Sequence, residues 1–192
     1  MNGKKRRFES AHLHKSNSGA MSWFAIRVTY GRELKFKKLL EDAGFQTFVP
    51  MRRKKVEKNG KTSFVTVPAV SNLCFVNSER DPLDAFLHSF GENAWGHYIW
   101  DKATRKPIIV PDKAMEDFIK VSLVMSDDIL YLRDITSKLR EGQKVRVIDG
   151  PFKGIEGTVV RIKRSRRIVV ELPGMLAIAT TFVGPQQLEL LQ

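Results

Sequence analysis

Near the end of the chain, Val145-Arg146-Val147-Ile148-Asp149-Gly150-Pro151-Phe152-Lys153-Gly154-Ile155-Glu156-Gly157-Thr158-Val159 reads as a strand, a glycine-proline turn and a second strand. Gly150-Pro151 closes a tight turn, and Gly154 and Gly157 permit positive φ or close backbone approach as the chain doubles back. Nothing in the stretch suits bond-making chemistry, so the module reads as one that binds. Val145/Val147, Val160/Ile162, Ile168/Val170 and the run from 177 to 182 extend the pattern. About five short strands follow, in the size range of an SH3-like barrel. A segment of fewer than about 60 residues buries a modest core, so this barrel depends partly on a neighbour. Residues 158 to 172 are rich in Val and Ile, which favours strand over helix there.

Upstream, strands alternate with amphipathic helices over residues 21 to 124. Trp23 to Val28 predicts a strand, and Phe36, Leu39, Leu40 and Ala43 at helical spacing predict a helix that Gly44 stops. Residues 45 to 50 read as a second strand. The basic run Arg52-Arg53-Lys54-Lys55 leads to Asn59-Gly60, a strong hairpin-turn signal. Strands at 63 to 67 and 73 to 76 flank Pro68 to Asn72. Asp81 suits an N-cap and Pro82 a first helical position, ahead of Leu83, Phe86, Leu87 and Phe90. Tyr98-Ile99-Trp100 reads as a short strand, and Pro111-Asp112 opens a helix with Met115, Phe118, Ile119 and Ser122 on one face. The expected class is α+β: an α/β sandwich over 21–124, a linker over 125–138 and a barrel over 139–192.

The net charge of +12 over 192 residues favours polyanion partners. Part of it sits in residues 1–20, where Lys4, Lys5, Arg6, Arg7 and Lys15 stand against Glu9 with no apolar period. That stretch reads as a disordered basic tail, an addition upstream of a natural start at Met21 or a nucleic-acid arm. Cys74, the single cysteine, cannot form an internal disulfide, and a buried thiol fits the cytoplasm. No apolar run approaches the roughly 18 residues that span a bilayer, and without a long heptad a monomer is the simpler expectation. Enzymatic readings find no support. His12, His14, His88 and His97 form no metal spacing with Cys74, no glycine-rich phosphate loop opens a helix, and the carboxylates are scattered. No catalytic residue, cofactor or metal is expected.

The strand-turn-strand stretch resembles a KOW motif, found in small barrels that bind RNA or proteins in the transcription and translation machinery. Ser22-Trp23-Phe24, a helix, Phe48-Val49-Pro50, a basic hairpin and this terminal barrel together resemble the NusG family over 21 to 192. Two runs are similar to the specialised paralogues, RfaH and the UpxY-type antiterminators of polysaccharide operons: Lys106-Pro107-Ile108-Ile109-Val110-Pro111, and Val169 to Thr180, which lacks the Phe-Gly-Arg stretch common in NusG. The resemblance implies an N-terminal (NGN) domain that binds the clamp helices of the RNA polymerase largest subunit and suppresses pausing or termination. It implies a KOW domain that recruits a small-subunit ribosomal protein.

Carried residue by residue, the polymerase surface falls on Arg27, Val70, Ser71, Leu73 and Tyr98, with Ser71-Asn72-Leu73 standing where the family has proline and tyrosine. Core packing is the competing reading for Val70 and Leu73. Tyr98 and Trp100 are better candidates for exposure. The paralogues' contact to non-template DNA maps onto His88, Ser89 and Asn93, with Trp95 available for stacking. The KOW partner surface falls on Phe152, Ile155 and Met175, where barrel core competes. By charge alone, Arg52, Arg53, Lys54 and Lys55, with Lys58 and Lys61, offer a further surface to DNA or nascent RNA, as does Arg161, Lys163, Arg164, Arg166 and Arg167 in the barrel. The expected function is therefore an operon-specific antitermination and elongation factor. The alternatives are a general NusG elongation factor and a KOW-containing ribosomal or RNA-scaffold protein.

Overall fold

A computed structural model describes residues 19–132 and 142–191. The expected tail over residues 1 to 18 and the expected linker over 133 to 138 lie outside the described residues. In the first sheet β1 (Ser22–Val28) is central. It runs antiparallel to β5 (Leu73–Ser78) on one side, and on the other to β6 (Gly96–Tyr98) and β7 (Ile109–Val110). β2 (Gln46–Phe48) pairs with the outer edge of β5.

Alternation along the central strands divides the core in two. Phe24, Ile26, Val28, Cys74 and Val76 pack with Phe36 and Leu40 of α1 (Glu33–Asp42) and Leu83 and Leu87 of α2 (Arg80–His88). Trp23, Ala25, Leu73 and Phe75 join the other cluster, with Met115, Phe118 and Val121 of α3 (Asp112–Leu123). α1 ends where Gly44 turns to φ +88°, and the N–H groups of Gly44 and Phe45 donate to the Glu41 and Leu40 carbonyls. This is the glycine stop its sequence predicts.

β3 (Met51–Lys58) and β4 (Lys61–Pro68) form a separate two-stranded ribbon in full register from Met51↔Pro68 to Lys58↔Lys61. Asn59 and Gly60 both take positive φ (52° and 71°), as a two-residue turn matched to strand twist requires.

The second sheet runs β13-β9-β10-β11-β12-β8. Its strands are β8 (Leu130–Leu132), β9 (Lys144–Val147), β10 (Glu156–Ile162), β11 (Ser165–Leu172), β12 (Leu176–Ala179) and β13 (Leu188–Leu190). β8 arises inside the stretch expected to be linker. Leu-Tyr-Leu is too short to show a period, and pairing with the edge of β12 fixes it as strand.

α3 packs between the two sheets. Phe118 meets Phe75, Phe48 and Tyr131 edge-on at centroid distances of 5.6, 6.2 and 6.2 Å. Polar contacts fix the turn after β9 onto the same helix: Lys113 Nζ donates to the Gly154 carbonyl (2.8 Å) and pairs with Asp117 (2.7 Å). Asp117 also accepts the Glu156 N–H (3.1 Å), and Lys120 donates to the Lys153 carbonyl. The buried Asp117 carboxylate is thereby satisfied, as burial demands.

Three sequence expectations need correction. α2 begins at Arg80 with Glu79 in the N-cap position and no side-chain cap, so Asp81 and Pro82 lie inside the first turn, where proline's missing N–H costs nothing. The strand expected at 98 to 100 is Gly96–Tyr98, and Trp100 makes only an isolated bridge to Pro107. The strand expected over 45 to 50 shortens to Gln46–Phe48.

Candidate functional site

The residues of the first candidate surface come from separate stretches of chain and meet at one depression of about 1000 Å³. Arg27 projects from β1, opposite Leu73 of β5 and His97 of β6. Val70 and Ser71 belong to the turn between β4 and β5, Leu73 opens β5, and Tyr98 ends β6. Exposure separates their roles. Val70 (6%) and Leu73 (3%) are buried and form the floor, as the core reading anticipates, while Arg27 and Ser71 stand exposed at the rim.

Asn72 holds the turn at φ +62°, a conformation asparagine tolerates better than most residues. Its N–H donates to Glu33, its side-chain oxygen accepts the Gly31 N–H (3.3 Å), and its carbonyl accepts the Val28 N–H (3.0 Å). The buried Glu33 carboxylate thus fixes the loop.

Tyr98 is half-buried between Phe24 (5.5 Å, edge-on) and Trp100 (6.4 Å). Burial pushes its phenol well above the usual tyrosine range, with the nearby Asp84 adding to the shift. The hydroxyl is buried and no partner lies in bonding geometry, so it stays protonated. Trp100 (52% exposed) and Ile109 (55%) supply apolar surface at the mouth. Ile109 and Val110 of β7 face opposite ways, and Val110 is the one that enters the core. Beyond Trp100, Asp101 accepts the N–H groups of Ala103 (2.7 Å) and Thr104 (3.3 Å), which hold its carboxyl below the usual carboxylate range and shape the rim.

The barrel closes one side of this depression through Pro173 to Leu176, the turn from β11 to β12. Gly174, at φ +73°, lies so close that a side chain there would touch Ile108 at 3.7 Å. Met175, expected on a different surface, lines the same depression. Phe152 (2%) and Ile155 (0%) are buried in the cluster shared with α3. In this arrangement they are core, because their turn is pinned to Lys113, Asp117 and Lys120, and they offer no exposed docking surface.

Arg52, Arg53, Lys54 and Lys55 are all exposed on β3. Arg53 lies over the exposed ring of Phe64 at 4.6 Å. His88 and Ser89 are exposed at the end of α2, and Asn93 closes a short 3-10 turn beyond it. Trp95 is less available than expected: it is half-buried, Arg32 covers it at 4.8 Å and Phe90 stacks on it at 6.4 Å. Among the described residues no three His, Cys, Asp or Glu side chains come together as a metal site. Among them, too, no helix is long and apolar enough to cross a membrane.

Comparison with known proteins follows this geometry. The family model described as transcription termination factor NusG matches residues 21–119, more than half of the chain, and that of the KOW motif matches residues 141–171. A solved structure titled "Domain interaction in Thermotoga maritima NusG" aligns at 16% identity, covering 90% of this chain and 98% of that one, with a TM-score of 0.46. A search of curated proteins finds no match.

Proposed function

The chain belongs to the NusG family, and from that premise we propose that it is an operon-specific elongation and antitermination factor. It grips the clamp helices of RNA polymerase at the depression lined by Arg27, Val70, Ser71, Leu73 and Tyr98. The observation that carries this reading is the convergence of those residues, from β1, the β4–β5 turn, β5 and β6, on one depression of about 1000 Å³. Its buried apolar floor, exposed Trp100 and charged rim match the anatomy of protein interfaces, in which aromatic anchors dominate the energy. Binding suppresses pausing only if it favours the closed clamp over the open one. The similarity of 106–111 and 169–180 to UpxY-type factors supports polysaccharide operons as the target class.

The exposed cations Arg52 to Lys55 then follow the nucleic-acid backbone, and His88, Ser89 and Asn93 lie where a displaced non-template strand would pass. Retention of purified RNA polymerase core by the full chain tests the reading, with the clamp-helix tip intact and mutated. Retention that disappears with the mutated tip is expected. Retention indifferent to the tip, or none at all, would overturn it.

A further inference from the structure

Lys163 of the barrel lies more than a hundred residues from the β3 cations in sequence, yet it borders the same groove. A second hollow, of about 730 Å³, is bordered by residues 52 to 55 of β3 and by Lys163, from the turn between β10 and β11; strand alternation sets Arg52 and Lys54 on one face and Arg53, over Phe64, on the other. Its floor includes Met125 and Tyr131. Among the described lining residues Asp127 is the one carboxylate, set against Arg52, Lys54 and Lys163. Met125 and Tyr131 beside the cations suit exposed base faces, which a single strand offers and a duplex keeps stacked.

The turn carrying Lys163 provides an independent observation. Lys163 and Arg164 adopt φ of 49° and 64°, both left-handed, between the paired residues Ile162 and Ser165. A two-residue turn of this kind favours Asn-Gly, which the ribbon of β3 and β4 uses at Asn59-Gly60. Two long cationic side chains occupy the strained positions instead, and strain of this kind gathers at functional sites.

We propose that the groove between the β3 cations and the Lys163-Arg164 turn is a clamp for the phosphodiester backbone of a single-stranded nucleic acid, completed only when the barrel is docked on α3. The proposal rests on the reading of the β3 cations as a nucleic-acid surface and adds the opposite wall. Phosphates lie between cations contributed by both sheets, and bases reach the thioether of Met125 and the half-buried ring of Tyr131. Every base has a face to stack, so recognition is tolerant of sequence.

The test uses the full chain and fluorescein-labelled octauridylate, octathymidylate and a 16-base-pair duplex, with affinity followed against salt. One short oligonucleotide per chain is expected, bound more tightly than duplex. The RNA and DNA arms identify which strand the groove prefers. K163N/R164G is the central variant: it relaxes the strained turn and should raise the melting temperature, while binding weakens several-fold and the salt slope falls by about one unit for each phosphate left without its cation. R52Q/K54Q should lower the slope in the same way. D117A removes a negative charge, so simple electrostatics predicts equal or tighter binding. A groove that needs the docked barrel predicts weaker binding, because Asp117 holds the Glu156 N–H.

K35Q/K38Q on α1 is the control and should bind as the parent does. Weaker binding with R52Q/K54Q but unchanged binding with K163N/R164G and D117A would overturn the shared groove and leave the ribbon reading intact. Unchanged binding with R52Q/K54Q would remove the ribbon reading itself. Two oligonucleotides per chain, or preference for duplex, would also overturn the proposal.

Discussion

The depression on the first sheet and the ribbon of β3 and β4 are built on opposite plans. The depression stands on a sheet packed on both faces, with Phe118 and Phe75 beneath one side and Phe36 and Cys74 beneath the other. The ribbon has both faces largely exposed, and over residues 52 to 66 only Val56 is partly covered. A surface resting on a close-packed core inherits a fixed shape and can discriminate by fit. An exposed ribbon of cations attracts polyanions at a distance, and its attraction weakens with salt. The function proposed above would use each, fit to hold a protein in one orientation and charge to let nucleic acid slide past.

The largest expected effect breaks this contrast at its base. Phe118→Ala empties the centre of the core shared by the two sheets and should cost about 3–5 kcal/mol in denaturant unfolding. A cost below about 1.5 kcal/mol would mean that α3 does not join the two sheets as described. The opposite face responds to pH. Burial pushes the Cys74 thiol from an ordinary 9.0 up to about 12. The folded state therefore favours the neutral thiol: its contribution is complete below pH 9 and is lost as pH rises through 12. Unfolding at pH 11 should show a decrease of about 2–3 kcal/mol from this group, which Cys74→Ala removes. The half-buried Tyr98 and Tyr131 shift in the same direction and steepen the alkaline decline.

Function separates from stability at the rim. Trp100→Ala, at a half-exposed position, should leave unfolding within about 0.5 kcal/mol of the parent and weaken polymerase binding by about 2 kcal/mol, roughly 30-fold. Titration of labelled chain with polymerase core checks this, and a large drop in stability would place Trp100 in the core instead. The smallest effect belongs to the ribbon. Phe64→Ala removes the ring under Arg53 and should cost about 0.5–1 kcal/mol, seen as a slight fall in melting temperature. A cost several times larger would show the ribbon to be packed against something rather than free.

Local signals explain how much of this was readable beforehand. Asn59-Gly60 and Gly44 are positions where backbone geometry selects the residue, so turn and helix stop were legible one by one. The runs at 23 to 28 and 73 to 76 were legible as strands, but it is the structure that sets Phe24, Ile26, Cys74 and Val76 on one side and Trp23, Phe75 and Leu73 on the other. β8 was hidden because three residues carry no period and owe their strand state to β12. Burial of Phe152 and Ile155 was left open, because a turn residue shows in sequence neither what lies above it nor that Lys113 and Asp117 would pin it down. In the depression, Arg27, Val70, Ser71, Leu73 and Tyr98 were nameable singly from family resemblance, and Ile109 and Asp101 were not. That Met175 borders it too required the barrel to be in place.

The sequence alone determined the α+β class, the order of the longer elements, the glycine-dependent turns, and the charge carried by the β3 strand and by the barrel. These follow from interactions within a few residues: backbone sterics, periodicity and local charge density. Tertiary structure alone decided which surfaces face each other: Gly174 against Ile108, Lys163 across from Arg52 and Lys54, and Asp117 beneath Glu156. Such pairings depend on how α3 seats one sheet on the other, a packing solution reached by the whole core and written in no single segment.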